Sequence, residues 1–217
     1  MATFEETMSS QAHFANMTVS QLLGALESPD PTPGGGTASA VAGAMGASLL
    51  VMVTGLAKSK TNSDDDKAAL AEARAGIAPL AGTLMQLADA DTAAFNVVMD
   101  AYRLPKATDE DKAARTRAIQ QALRGATEVP LATLRACADA IDRGRTVAAH
   151  GNRSAASDVG VAIGLLKAAA DGAAANVKIN LDSIKDEAYR TTTADALSAL
   201  TSQAAAHAAD GLRALAG

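Results

Sequence analysis

Tryptophan is absent from this 217-residue sequence, and aromatic residues make up only 2% of it. Strands favour aromatic and β-branched side chains, whereas alanine, nearly a quarter of the chain, has the highest helix propensity. An all-α protein is expected. A core so short of bulky side chains must gain its contact area by bringing helix backbones close together. Cys137 is the one cysteine, which excludes an internal disulfide framework and any multi-cysteine metal site. There is no basic excess either. With a net charge of −5 and no basic stripe, nucleic acid is not an expected partner. The first residues, MATFEETM, carry acids where a secretion signal carries bases, so a cytoplasmic chain is expected.

Charge is also missing locally. PDPTPGGGTASAVAGAMGASLLVMVTGLAKSK, from Pro29 to Lys60, has no ionisable residue between Asp30 and Lys58. Thr37 to Ala57 is long enough to span a bilayer. Its Ala, Gly, Ser and Thr contribute little to insertion, however, and no basic cluster flanks it, so no membrane is expected. Pro33-Gly34-Gly35-Gly36 lacks the GxxxxGK[ST] spacing of a phosphate loop and no β-branched strand precedes it. A helix starting just after the glycines remains. Gly36, Ala40, Gly43 and Ala47 then form a small-residue stripe, which lets another helix approach closely. The segment is read as a long, buried central helix.

The remaining sequence parses as further helices. Thr18 and Gln21 form a capping box for a short helix through Glu27. A polar turn, Thr61–Asp64, starts a helix near Asp65 that runs to about Leu104, with Pro79 as a point of kinking. Thr108 and three following acids start the next, through about Ala149, bent or broken near Pro130. His150-Gly151-Asn152 is a stop. Ser154 or Ser157 caps a helix to about Leu181, and Ser183 begins the last, through Leu215. No linker of disordered composition divides the chain, so one domain over residues 1–217, an antiparallel multi-helix bundle, is expected.

Few residues suggest chemistry. Asp91 falls inside an apolar stripe of Leu84, Leu87, Phe95, Val98 and Tyr102. A carboxyl on a buried face has its pKa raised, which suits a general acid or base; the plainer alternative is an acid at the stripe's edge paired with an arginine. Asp89 is expected to be solvated. Asp158, in GNRSAASDVGVA, sits in a first helical turn, where the helix dipole alone explains it. Asn176 and Asn180, four apart, continue a small-residue stripe from Ala169 and Ala173, and need partners from another backbone or from a ligand. His13, His150 and His207 lack metal-ligand spacing, and no metal site is expected.

PTPGGGTASAVAGAMGASL, DADTAAFNVVMDAYRLPKATDEDKAARTRAIQQAL, ATEVPL, GNRSAASDVGVA and ANVKINLDSIKDEAY occur in that order. Together they resemble the formimidoyltetrahydrofolate cyclodeaminase and methenyltetrahydrofolate cyclohydrolase family, over roughly Thr18 to Tyr189. The resemblance implies an all-helical homodimer acting on a tetrahydrofolate derivative, without a metal or redox cofactor. The chain is expected to lack the formiminotransferase half that some members carry.

In both reactions of the family a tetrahedral carbon bridges N5 and N10, and a proton must be moved. The resemblance makes Asp91 and Asp158 candidates for proton transfer and for stabilising the substrate cation. Asn176 and Asn180 become candidates for the pterin edge or the amide, and Gly34, Gly35 and Gly36 for a carboxylate of the folate tail at a helix N-terminus. Many members have a lysine-rich segment after the central helix. Here that place reads AKSKTNSD, so Lys60, with Lys58 beside it, is what remains of the cluster and is a third catalytic candidate. A non-catalytic helical homodimer that has lost turnover is the alternative.

Overall fold

A computed structural model describes residues 14–56 and 63–216 of the chain. Among these there are six α-helices and no strand: α1 (Val19–Glu27), α2 (Gly35–Gly55), α3 (Asp64–Arg103), α4 (Asp109–His150), α5 (Ala156–Leu181) and α6 (Glu187–Ala216). Short 3-10 turns at Phe14–Asn16 and Arg153–Ala155 precede α1 and α5. The expected all-α class is what the structure has.

Capping chemistry sets most of the helix starts. Thr18, Ser63 and Thr108 each accept a bond from the third helical amide, and Gln21, Asp66 and Asp111 return one to the cap. Two starts differ from expectation. Neither Ser154 nor Ser157 caps α5; Ala155 precedes it without a side-chain bond, because the Arg153–Ala155 turn, itself capped by Asn152, leads directly into the helix. The last helix begins at Glu187 rather than Ser183, where the Asp186 carboxylate accepts the Tyr189 amide at 2.9 Å. Pro130 does not break α4, which is continuous for 42 residues, and Pro79 lies inside an unbroken α3.

α2 and α5 run antiparallel at contact distance. A Cβ on Gly46 would lie 2.8 Å from the Ala162 carbonyl oxygen, and one on Gly43 would lie 2.9 Å from Cys137 Sγ of α4. Gly36, Ala40, Gly43 and Ala47 are all buried, as the small-residue stripe requires. Close approach lets many weak contacts accumulate where large side chains are scarce. Leu50, Ile77, Leu84, Leu134, Ile141, Ile163 and Leu166, all fully buried, supply the bulk of one core shared by the five long helices. Each contributes about 1.5–3 kcal/mol through burial. α2 is long and apolar enough to cross a membrane by composition, but its buried share is that of a core helix, with 56% of the most apolar window inside the protein. One face stays open, where Met45 and Met52 are 56% and 42% exposed.

Candidate functional site

The N-terminal end of α2 is where α3 and α5 bring polar groups together. Gly34 precedes the helix with extended backbone and no side-chain cap, so the first amides of α2 are not covered by their own chain. Asp91 of α3 occupies this position. A Cβ on Gly36 would lie 2.2 Å from Asp91 Oδ1 and 2.6 Å from Oδ2. Glycine at 36 is what allows the carboxylate to rest on the helix backbone.

Thr37, fully buried, donates its hydroxyl to Asp91 Oδ2 at 3.0 Å, with Thr92 Oγ1 at 3.3 Å. Burial pushes the Asp91 carboxyl above its ordinary value, and hydrogen bonding from the Thr37 hydroxyl and then its backbone amide opposes the rise. No ion pair reaches Asp91 among the described residues; its partner is a threonine and not the arginine of the plainer alternative. Leu84 and Val98 of its stripe are buried, whereas Tyr102 is 44% exposed under the Arg115 guanidinium.

α5 supplies the third side. Ser39 Oγ donates to the Gly35 carbonyl at 2.7 Å and lies where a Cβ on Gly172 would be, so α5 comes in close one turn before Asn176. Asn176 therefore faces the α2 N-terminus, with Nδ2 3.8 Å from the Cβ position of Gly35 and 2.9 Å from the Gly172 carbonyl. Asn180 points elsewhere: its amide donates 2.7 Å to the Ala126 carbonyl and ties α5 to α4.

Asp91, Gly34, Gly35, Gly36 and Asn176 are thus gathered at one place, and Asp158 is not. Asp158 lies in the first turn of α5 and Asn176 is eighteen residues further on, about 27 Å along the axis. Within one chain the two acids cannot act on one carbon. The Asp158 side chain makes no hydrogen bond or ion pair among the described residues. Lys58 and Lys60 lie outside the described residues, as does His13.

Asp89 differs from expectation. It is partly buried and accepts the Phe14 amide at 2.8 Å, which docks the Phe14–Asn16 turn onto α3. His150 and His207 approach Asp66 and Asp142, at 2.6 and 3.0 Å. Cys137 is buried, and the surrounding apolar groups push its thiol up to about 12. The sequence reading missed Thr37, Thr92 and Gly172. A β-branched hydroxyl directly after three glycines was the available signal for Thr37. For Gly172, it was its place four residues before Asn176.

The formiminotransferase-cyclodeaminase family profile matches residues 18–199. The chain belongs to this family. Methenyltetrahydrofolate cyclohydrolase of Methylorubrum extorquens is 42% identical over 191 residues, which are 88% of this chain and 92% of that protein. Formimidoyltransferase-cyclodeaminase of Gallus gallus is 34% identical over 172 residues, 79% of this chain but 32% of the longer bird protein. Among solved structures, formiminotetrahydrofolate cyclodeaminase from Thermotoga maritima superposes with a TM-score of 0.83 and 27% identity, over 94% of this chain and 98% of the other. The resemblance carried by the five sequence blocks is borne out, and this member of the formiminotransferase-cyclodeaminase family shares the helical fold of its neighbour.

Proposed function

We infer that the chain is a one-carbon tetrahydrofolate enzyme, a methenyltetrahydrofolate cyclohydrolase or formimidoyltetrahydrofolate cyclodeaminase. The carrying observation is the Asp91 carboxyl, held on the Gly36 backbone in an apolar setting that raises its pKa toward the range useful for proton transfer. The family relationship supplies the substrate class.

In the hydrolytic direction, water adds to the cationic 5,10-methenyl carbon and Asp91 takes up the proton that the water loses. The carbon becomes tetrahedral. Returning that proton to the leaving nitrogen lets its bond to the carbon break, and the bridge opens to a formyl group as the hydroxyl on that carbon gives up its own proton to solvent. In the deaminating direction, N10 attacks the N5-formimino carbon, and the amino group leaves as ammonia once protonated. One carboxyl cycling between its two states serves either sequence. Neither sequence calls for a redox group or a metal.

Asn176, facing the same end of α2, is placed to hydrogen-bond a polar edge of the substrate. The first amides of α2 have a second part to play. Because the Asp91 carboxylate already lies over Gly36, these amides favour its ionised form and leave less room for a carboxylate of the folate tail.

The enzyme is proposed to be a cytoplasmic homodimer. Val41, Met45 and Leu49 of α2 and Met85 of α3 line an open groove of about 950 Å³. A second copy is the occupant this surface suits, since α2 contributes no charge anywhere along its length. Met45→Arg should shift the sedimentation of the protein from dimer to monomer at micromolar concentration, and a wild-type monomer would remove the claim.

The deciding assay follows absorbance of the purified protein with methenyltetrahydrofolate and formimidoyltetrahydrofolate separately. Turnover of one or both is expected; turnover of neither overturns the reading.

A further inference from the structure

Thr37 is fully buried, yet its hydroxyl is engaged with side chains of another helix rather than with a carbonyl one turn back in its own. Two other buried threonines take the local option: Thr127 donates to the Leu123 carbonyl at 2.7 Å and Thr133 to the Val129 carbonyl at 3.2 Å. Thr37 stands in the first turn of α2, where the residue four before it is Pro33, outside the helix, and it bonds across to α3 instead. Its hydroxyl therefore has three neighbours on α3: Asp91 Oδ2 at 3.0 Å, Thr92 Oγ1 at 3.3 Å and the Ala88 carbonyl at 3.5 Å. A hydroxyl has one proton to give, and the shortest contact is to the carboxylate, where a bond is also stronger.

The carboxylate is confined on its other side. Both of its oxygens crowd the position a Cβ would take on Gly36. A side chain wedged between a backbone and a donor keeps its orientation as it gains and loses a proton.

We propose that Thr37 is a positioning residue for Asp91: its hydroxyl fixes Oδ2, and so holds the carboxyl over Gly36 in the orientation from which it exchanges the substrate's proton. This rests on the reading of Asp91 as the proton-transfer group. The hydroxyl also favours the ionised carboxyl, against the burial that disfavours it.

The surroundings leave Thr37 without a charged competitor. Gly35–Gly55 contains no ionisable residue. Asp89, on the same helix as Asp91, is held by the Phe14 amide. Leu84 and Cys137 both touch the Gly43 position, so in the antiparallel α3–α4 pair Asp91 is level with Pro130. The nearest charged residues of α4 in sequence, Glu128 and Arg135, lie 4.0 Å from each other. On α5, Asn176 and Asn180 are neutral, and Lys178 lines a groove toward α6 with Asp182 and Arg190.

The test uses Thr37→Val, which keeps the shape and removes the donor, and Thr37→Ser, which keeps the donor. For the valine protein, kcat should fall about tenfold or more, the effect of losing one hydrogen bond to a charged group, with KM little changed. The acid limb of its kcat profile should move to higher pH, because the ionised carboxyl has lost a stabilising partner. The serine protein should recover both kcat and the profile. A carbon-13 titration of the Asp91 carboxyl should show the same upward shift in the valine protein, independently of turnover.

An unmoved carboxyl titration and an unmoved pH profile in Thr37→Val overturn the proposal while Asp91 keeps its role. Retained turnover in Asp91→Asn instead overturns the role of Asp91, and the positioning role with it, even if the carboxyl titration shifts. Should the valine protein fail to fold, Thr37→Ala removes the same donor by leaving space and gives the same readings.

Discussion

The two ends of the α2–α5 pair begin alike and end up different. At one end a glycine-rich turn leads into α2, and Asp91 from α3 lies across it, half-buried and bonded to Thr37. At the other, Gly151 and the short turn after it lead into α5, and Asp158 occupies its first turn with no side-chain partner among the described residues. Both are aspartates at the positive pole of a helix. Asp158 belongs to the helix whose first turn it occupies and has no bonding partner there among the described residues, whereas Asp91 arrives from a neighbouring helix and is held by Thr37 against the Gly36 backbone. Burial in the second arrangement raises the pKa of the Asp91 carboxyl. The dipole is common to both, so the dipole is not what distinguishes them.

The sharpest way to break this comparison is to change the acids. Asp91→Asn keeps the shape and removes the titrating proton, and turnover should fall about 10²–10⁴-fold. Its effect on stability should have the opposite sign. A carboxyl whose folded pKa is raised binds its proton more tightly in the native protein, so it costs stability above that pKa and the cost disappears as pH falls through it. Melting followed from pH 8 downward should therefore find the asparagine protein at or above the wild type, with the gap closing in acid. A lower melting temperature with near-normal turnover would make Asp91 a structural acid.

Glycines test the packing at the same two places. Gly36→Ala puts a Cβ 2.2 Å from Asp91 Oδ1, so the carboxyl must leave its seat or the helices must separate. A loss of about 1–3 kcal/mol in denaturant unfolding is expected, together with lost turnover. Gly164, on the exposed side of α5 near its start, has nothing within 4 Å of an added Cβ. Gly164→Ala should raise stability by up to about 1 kcal/mol, through helix propensity, and leave turnover unchanged.

Asp158→Asn should have the smallest effect. Loss of one charge at a helix start removes about 0.3–1 kcal/mol, and turnover should stay well above that of Asp91→Asn across the pH range. Equal losses of turnover in the two asparagine proteins would show that both ends serve one reaction.

Much of this was legible in the amino-acid sequence, because it rests on local rules. Alanine content and the scarcity of aromatics determined an all-α protein. Polar caps, followed by acids in α3 and α4 and by Gln21 in α1, located the starts of these three helices to within a residue or two, and the small-residue periodicity of α2 identified the face that would meet another helix. The stripe around Asp91 was enough to mark it as an acid on an apolar face. Tertiary structure alone decided the rest. The antiparallel pairing of α2 with α5 set Asn176 against Gly35 and carried Asp158 to the far end. Gly36 became a seat for Asp91, Asn180 was turned to the Ala126 carbonyl, and Thr37 was handed a carboxylate to hold. These depend on contacts between residues more than fifty positions apart. Hydrogen bonding and desolvation act over a few ångströms in space, and spacing along the chain does not record which distant groups come that close.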